Sequence, residues 1–183
     1  MSAAASALAA YRPADAQETA DAERVRALLD GAGDPWSRAV PLHLTASAVI
    51  VHPPTGRVLL RWHERMRAWL QVGGHGDPGE TDPVAIAVRE GREETALADL
   101  VPWPDAALRH LVVVPVPAGR DEPAHEHADL RFVLATGTPE EASPERETAP
   151  LRWLSLSQAR ELVTEANLLE TLSRVERLLE PGA

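Results

Sequence analysis

The chain has no cysteine and no lysine, one tyrosine and one phenylalanine. Without cysteine there can be no disulfide, no thiolate metal site and no thiol nucleophile. Without lysine, arginine supplies every fixed positive side chain. Together with the abundance of alanine, this has the look of coding bias in a GC-rich genome, and no function is attached to it. Aromatics make up only 4% of the residues, so aliphatic side chains and alanine must fill the core. Positive charge is also scarce: 18 arginines face 28 acidic residues, for a net charge of −10 and a pI near 5.1. A non-specific nucleic-acid binder needs a basic surface to displace counterions, so that class is excluded. A small phosphate-bearing substrate is not, because local charge governs its binding and a bound metal inverts the local sign. No apolar run reaches the roughly 18–20 residues that span a bilayer. Met1–Ala10 is mostly alanine and lacks a positive leader, so it reads as a disordered or helical end rather than a signal peptide. The expectation is a cytoplasmic protein without a membrane partner.

What is present is 183 residues with 44% apolar content, enough for one domain with helical decoration. Residues Ala14–Leu29 carry apolar positions at helical spacing and end at Gly31. The expected division is a tail and helix over 1–38 and the main domain over 39–183. Strands are expected at His43–Val51, Val58–His63, Leu108–Val116, Leu130–Ala135 and Leu151–Leu154. A helix should start at Ser155 or Ser157 and run to about Val163, and a last amphipathic helix should cover Leu168–Leu179. Thr136–Pro150 reads as loop. Strands with helices outside them indicate an α/β (α+β) class.

The most informative stretch is Gly73-Gly74-His75-Gly76-Asp77-Pro78-Gly79-Glu80, followed by Arg89-Glu90-Gly91-Arg92-Glu93-Glu94. A glycine-rich loop thus precedes a helix, with Asp82 as N-cap and Pro83 at the first helical position. At 100° per residue, Val84, Ala87, Val88, Gly91 and Thr95 share one stripe within about 60°, which should pack on a sheet. Glu90, Glu93 and Glu94 fall about 130° away and form an acidic cluster on the exposed face. Like charges at this spacing repel. A solvated acidic face is the bland reading of such a run, and a hard divalent cation is what would give it a purpose.

This spacing resembles the Nudix box, G-x5-E-x7-R-E-U-x-E-E-x-G-U with U a bulky apolar residue, in the family of Nudix hydrolases. Gly74, Glu80, Arg89, Glu90, Glu93 and Glu94 carry the resemblance. Four positions depart from it. Eight residues separate Glu80 from Arg89, Gly91 replaces a bulky apolar residue, Ala96 replaces a glycine, and Val72 stands where many relatives have proline. The extra residue should lengthen the loop between Glu80 and Asp82. Gly91 should allow close approach to the sheet, and Ala96 should be less comfortable than the family glycine, which takes a left-handed backbone at the helix end.

The resemblance implies a Nudix-type α/β/α sandwich with a mixed sheet over 39–183, plus extra N-terminal and C-terminal helices. It implies Mg²⁺, with Mn²⁺ as substitute, held by Glu90, Glu93, Glu94 and the backbone carbonyl of Gly73. It gives Glu93 or Glu90 the role of water-orienting base and Arg89 that of orienting a carboxylate. Glu80 is then either a ligand or a residue behind the ligands. The implied activity is a pyrophosphohydrolase of the MutT-like kind, cleaving the diphosphate linkage of a nucleoside diphosphate joined to another moiety. The alternative is a ligand-sensing or protein-binding domain of the same fold. The proline marker of ADP-ribose hydrolases is unmatched, since Val113 holds its position, and Tyr11 is too far away to be the tyrosine marker of dinucleoside polyphosphate hydrolases.

Other residues are candidates for substrate contact. Arg61 and His63 alternate on the second strand and could meet phosphates. His75 sits inside the loop. In His125-Glu126-His127-Ala128-Asp129-Leu130-Arg131-Phe132, period two puts His125, His127, Asp129 and Arg131 on one face and Leu130, Phe132 and Leu134 on the core face. Alternation alone produces such a polar solvent face. A substrate-facing edge through His127 and Asp129, or a His-His-Asp metal site, would be its functional readings. Asp121, Glu122, Glu126 and Glu147 are candidates for an acidic residue added from a later loop. The partner is expected to be a small nucleotide derivative, and the terminal helices could mediate a homodimer.

Overall fold

The computed structural model describes residues 1–119 and 123–180. Helices α1 (Ala3–Ala10) and α2 (Ala16–Asp30) come first. The strands are β1 (Leu42–His52), β2 (Arg57–His63), β3 (Ala68–Leu70), β4 (Val72–Gly74), β5 (Val101–Pro102), β6 (His110–Val116), β7 (His125–Ala135) and β8 (Leu151–Ser155). Helix α3 (Pro83–Thr95) follows β4, while α4 (Leu156–Leu162) and α5 (Ala166–Leu179) close the described chain. No described helix is long and apolar enough to cross a membrane.

The sheet is mixed. Its path runs β3-β2-β1-β7-β5, with β4 also on β1, β6 on β7 and β8 on β2. Among the described strands only β1 and β7 run parallel, in a register that pairs His43 with His127 and Thr45 with Asp129. β1 is shared along its length: Ile50–His52 pair with β2, whereas Ala46–Ala48 pair with β4. Where β2 leaves β1, the glycine strand takes its place.

Period two in β1 and β7 divides the core into two layers. Leu44, Ala46, Ala48, Ile50, Leu130, Phe132 and Leu134 face α3 through Ile86 and Ala87. Val49, Val51, Val133 and Ala135 face α4 and α5 through Ala159, Leu168, Leu172 and Val175. A sheet between helices is the α/β/α sandwich that the box implied. The polar face of β7 is not the solvent face that its alternation suggests. Asp129 is 7% and Arg131 3% exposed, because Arg131 packs against Thr171 of α5 and Asp129 is enclosed by Thr45, Ser47, Gln71 and Arg131. Alternation reports that two faces differ, not that one of them is wet.

The short helices are explained locally. Ser155 and Gln158 form a capping box at α4. Asp82 caps α3 by accepting from the N–H groups of Val84 and Ala85. Thr136–Pro150 holds only a 3₁₀ turn at Pro139–Glu141. Ala96 ends α3 with φ +60°, the left-handed conformation expected of a residue in the place of a glycine.

A buried polar chain ties the N-terminal helices to α5 and β7. Tyr11 donates to Glu18 at 2.5 Å, and Arg174 pairs with Glu18. His110 meets the Thr171 hydroxyl at 2.8 Å, and Arg131 donates to the same hydroxyl at 3.0 Å. Burial first, then Arg131 and Arg174, lower the His110 pKa from 6.5 to about 4.

Two predictions arise here. A left-handed alanine costs about 1–2 kcal/mol, of which glycine's extra unfolded freedom would offset about 0.4–1 kcal/mol. Ala96→Gly should therefore stabilise the fold by roughly 0.5–1 kcal/mol, read as a small rise in calorimetric melting temperature. As for His110, the unfolded chain takes up its proton below pH 6.5 and the folded chain only below about 4. Stability should thus fall as pH drops through that window, by up to about 3 kcal/mol from this group. Urea unfolding from pH 7 to 5 should show a shallower loss in His110→Asn; an unchanged slope would refute the assignment.

Candidate active site

Helix α3 brings Arg89, Glu90, Glu93 and Glu94 beside the glycine strand. Arg89 organises them. Its Nε and Nη2 donate to Glu80 at 2.9–3.1 Å, its Nη1 to Glu90 at 3.1 Å and to Glu93 at 2.9 Å. Nη2 also donates to the His75 carbonyl at 2.8 Å, which fixes the loop to the helix. Glu80 reaches Arg89 despite the extra residue, because the insertion is spent before the Asp82 cap and leaves the helix phase unchanged. The hydrogen bonds from Arg89, foremost, hold the Glu80 carboxyl below its ordinary pKa.

The helical wheel misplaces two of the three box carboxylates. Glu93 is open, with 56% side-chain exposure, but Glu90 and Glu94 keep only 16% and 13%. The wheel sees one helix. It does not see β4 and Arg61 closing over that face, or Ile86 deepening the buried stripe. Burial raises the Glu90 pKa and pushes that of Glu94 up to about 7 against the pull of Arg61 and the Gly73 N–H. Glu94 accepts from the Gly73 N–H at 3.1 Å and pairs with Arg61 at 3.1 Å.

Two glycines are required by this packing. Gly73 has φ +150°, and a Cβ there would sit 2.3 Å from the Ser47 Cβ. A Cβ on Gly74 would sit 2.6 Å from the Glu90 carboxyl carbon. Gly91 also has a reason. A Cβ there would lie 2.9 Å from Leu100, so Leu100 fills the space that the box gives to a bulky side chain.

On the other side of the glycine strand lies a cavity of about 300 Å³. His63, His75, His127 and Asp129 line it, together with Gln71 and the two glycines. Of the five residues expected on the substrate side, only Arg61 is outside it. Arg61 is committed to Glu94 and, at 3.5 Å, to Glu145. Asp129 is already satisfied by Thr45, Ser47, Gln71 and Arg131 at 2.8–3.3 Å. Burial, followed by Arg61 and Arg65, lowers the His63 pKa. Burial, then Arg38 and the neighbouring imidazoles, lowers His75 to about 3, so its ring is neutral near pH 7.

Of the later acidic candidates, Glu126 pairs with Arg24 away from the carboxylates and Glu147 is exposed. Asp121 and Glu122 lie outside the described residues. The acidic residue that does approach is Glu145, whose N–H donates to the Glu94 carbonyl at 3.4 Å. Its loop carries no periodic signal that could have singled it out. Gln71 was missed as well. Its Oε1 is buried and has no partner among the described residues, at the edge of the cavity.

A NUDIX domain model matches residues 41–174. The chain belongs to the Nudix hydrolase family. Among solved structures, an Ap4A hydrolase from C. elegans, in a binary complex, is similar with a TM-score of 0.59 at 21% identity, over 74% of this chain and 96% of that one. A NUDIX-family hydrolase from Clostridium perfringens gives a TM-score of 0.54 at 21% identity, over 74% and 97%. The E. coli dihydroneopterin triphosphate pyrophosphohydrolase gives 0.53 at 19% identity, over 74% and 94%. At these identities the likeness concerns the fold. No curated protein matches the chain.

The donors fit the divalent metal that Nudix hydrolases generally use. Asp77, Glu80, Glu90, Glu93, Glu94 and Glu145 gather around three guanidiniums, Arg61, Arg89 and Arg146, and three formal negative charges are left over. Two of those carboxyls are also pushed toward protonation by burial, the state that a bound cation reverses. Gly74→Ala is expected to displace Glu90 and weaken Mn²⁺ binding about 10–100-fold by calorimetric titration. Unchanged affinity would mean that Glu90 is not a ligand.

Proposed function

We propose that this Nudix hydrolase is a Mg²⁺-dependent pyrophosphohydrolase that cleaves the diphosphate linkage of a nucleoside diphosphate joined to another moiety. The observation that carries the reading is the residual negative charge on α3, set against a glycine strand whose opposite side opens into the cavity. All-oxygen donors suit a hard cation, with Mn²⁺ able to replace Mg²⁺.

Glu90, Glu93, Glu94 and the Gly73 carbonyl would hold the ion. When bound, it supplies a lowered water pKa and a counter-charge for the phosphate oxygens. Arg89 keeps Glu90 and Glu93 in place from the side. Glu93, the most open carboxylate, takes the proton from the attacking water, with Glu90 as the other candidate for that role. Glu80 aligns Arg89 and acts from behind the ligands. Gln71 and His127 meet the nucleoside part in the cavity, and His63 and His75 border its phosphates. The products are a nucleotide and a second phosphorylated fragment.

The test is to incubate the purified protein with Mg²⁺ and a panel of nucleotide derivatives, separating the products by anion exchange. Glu93→Gln should lower kcat by about 10²–10⁴-fold, and Glu94→Gln should raise the Mg²⁺ concentration needed. Full activity in both variants would remove these residues from the mechanism. Binding without any product, across the panel, would favour a ligand-sensing domain of the same fold.

A further inference from the structure

Four of the seven histidines converge at one point, away from the carboxylates. His43 comes from β1, His125 and His127 from β7, and His75 from the glycine loop. The parallel register places His43 beside His127. The Nε2 atoms form a chain: His43 to His75 at 3.1 Å, His75 to His127 at 3.2 Å and His127 to His125 at 3.0 Å. His43, His125 and His127 offer nitrogens that all lie within 4.8 Å of one another.

The two ends of this chain are of one kind. The Nδ1 of His43 faces the Val40 carbonyl at 2.9 Å, and the Nδ1 of His125 faces the Pro123 carbonyl at 2.9 Å. A carbonyl only accepts, so both Nδ1 atoms carry the proton. In the neutral rings both end Nε2 atoms are then bare acceptors. Three hydrogen bonds along four members require donors and acceptors to alternate, which makes the two ends opposite in kind. Here they are alike, so at least one close N···N contact sets like against like. Proton placement within the neutral cluster cannot satisfy it. A cation that accepts lone pairs can.

We propose that His43, His125 and His127 form a second metal site, for a zinc-class transition-metal ion, that joins β1 to β7, with the His75 ring of the glycine loop against it. Zinc takes imidazole nitrogens at about 2.0–2.1 Å in a tetrahedron, whose edges are then about 3.3–3.4 Å. The His125–His127 contact, 3.0 Å, is within a few tenths of such an edge, and all three nitrogens lie within 4.8 Å of one another. Imidazole suits zinc, copper and nickel, whereas magnesium prefers oxygen. The backbone carbonyls on the Nδ1 atoms of His43 and His125 are the outer partners that ligating histidines commonly have. Three protein ligands leave a fourth position for water. Asp129 is not part of it, being held by its own donors. The site shares no side chain with the carboxylate cluster, but it rests on the proposed function for one residue, His127, which also lines the substrate cavity.

The experiment uses the full chain stripped with a chelator and titrated with Zn²⁺ in competition with a coloured chelator. One equivalent per chain is expected, retained in Glu93→Gln and Glu94→Gln and weakened at least about 100-fold in His125→Asn, taking the larger end of what outer partners alone contribute. Circular dichroism without zinc checks that His125→Asn folds. Should it not fold, the wild-type protein answers alone. Co²⁺ should give the intense visible bands of a four-coordinate site of three imidazoles and water, and Zn²⁺ should shift the Nε2 resonances of His43, His125 and His127 in ¹⁵N spectra. Failure of the wild type to retain one zinc, six-coordinate cobalt spectra, or unshifted imidazoles would each overturn the proposal. Zinc binding that disappears in Glu94→Gln but persists in His125→Asn would place the ion at the carboxylates instead.

Discussion

Arg89 uses its guanidinium on three carboxylates and a loop carbonyl at once, and the arrangement of α3 against the glycine strand depends on that. Glu80, Glu90 and Glu93 come from a loop and from two turns of helix, and they would repel one another if left together. A planar fork of five donors is suited to holding several acceptors in fixed directions, which a lysine ammonium is not. The bond to the His75 carbonyl extends the same control to the backbone. Arg61 plays the complementary part on the buried side, where it opposes the rise in the Glu94 pKa. Around Arg89 the positive charge falls short of the negative, so that part of the cluster is organised but not neutralised, whereas Arg61 and Arg146 together match Glu94 and Glu145.

The sheet makes room for this by splitting. β1 serves β2 at one end and β4 at the other, and the divergence of β2 from β1 leaves the space in which the glycine strand runs. Only glycine can run there, because Ser47 on one side and Glu90 on the other occupy the positions of the missing side chains. The parallel pairing of β1 with β7 then sets what lies on the cavity side. It aligns His43, Thr45 and Ser47 with His127, Asp129 and Arg131, so the polar residues of both strands share one patch. α5 covers the far part of that patch, and the near part stays open as the cavity.

Much of this was legible in the sequence, and the limits have physical causes. The bounds of α3, its Asp82 cap, its left-handed Ala96 and the narrow Gly91 are local properties, and local chemistry reveals them. The strands β1, β2, β6 and β8 were visible for the same reason, although β7 begins earlier than its apolar run, because His125–Asp129 are polar. The two-residue β5 is too short to leave a pattern. Burial of Glu90 and Glu94 was misread because it depends on β4 and Arg61, which belong to other segments. Burial of Arg131 was misread because it depends on α5, and that of Asp129 because it depends on β1 and Gln71. The approach of Glu145 to Glu94, and of His43 to His127, depends on loop path and register. Neither has a sequence signature until the topology is known.

The glycine loop has two sides with different chemistry. Toward α3 it meets carboxylate oxygens and guanidiniums, and toward β1 and β7 it meets imidazole nitrogens. His75 belongs to both, since its carbonyl accepts from Arg89 while its ring touches His43 and His127. A shift of the loop large enough to break the ring contacts would also move the carbonyl away from Arg89. It would thereby loosen the fork that holds Glu90 and Glu93. The reverse also holds, because coupling between two sites is reciprocal. The rigidity of the carboxylate site is therefore not a property of α3 alone. It is shared with the strand pair on the opposite side of the sheet, through one residue whose backbone and side chain serve different neighbours.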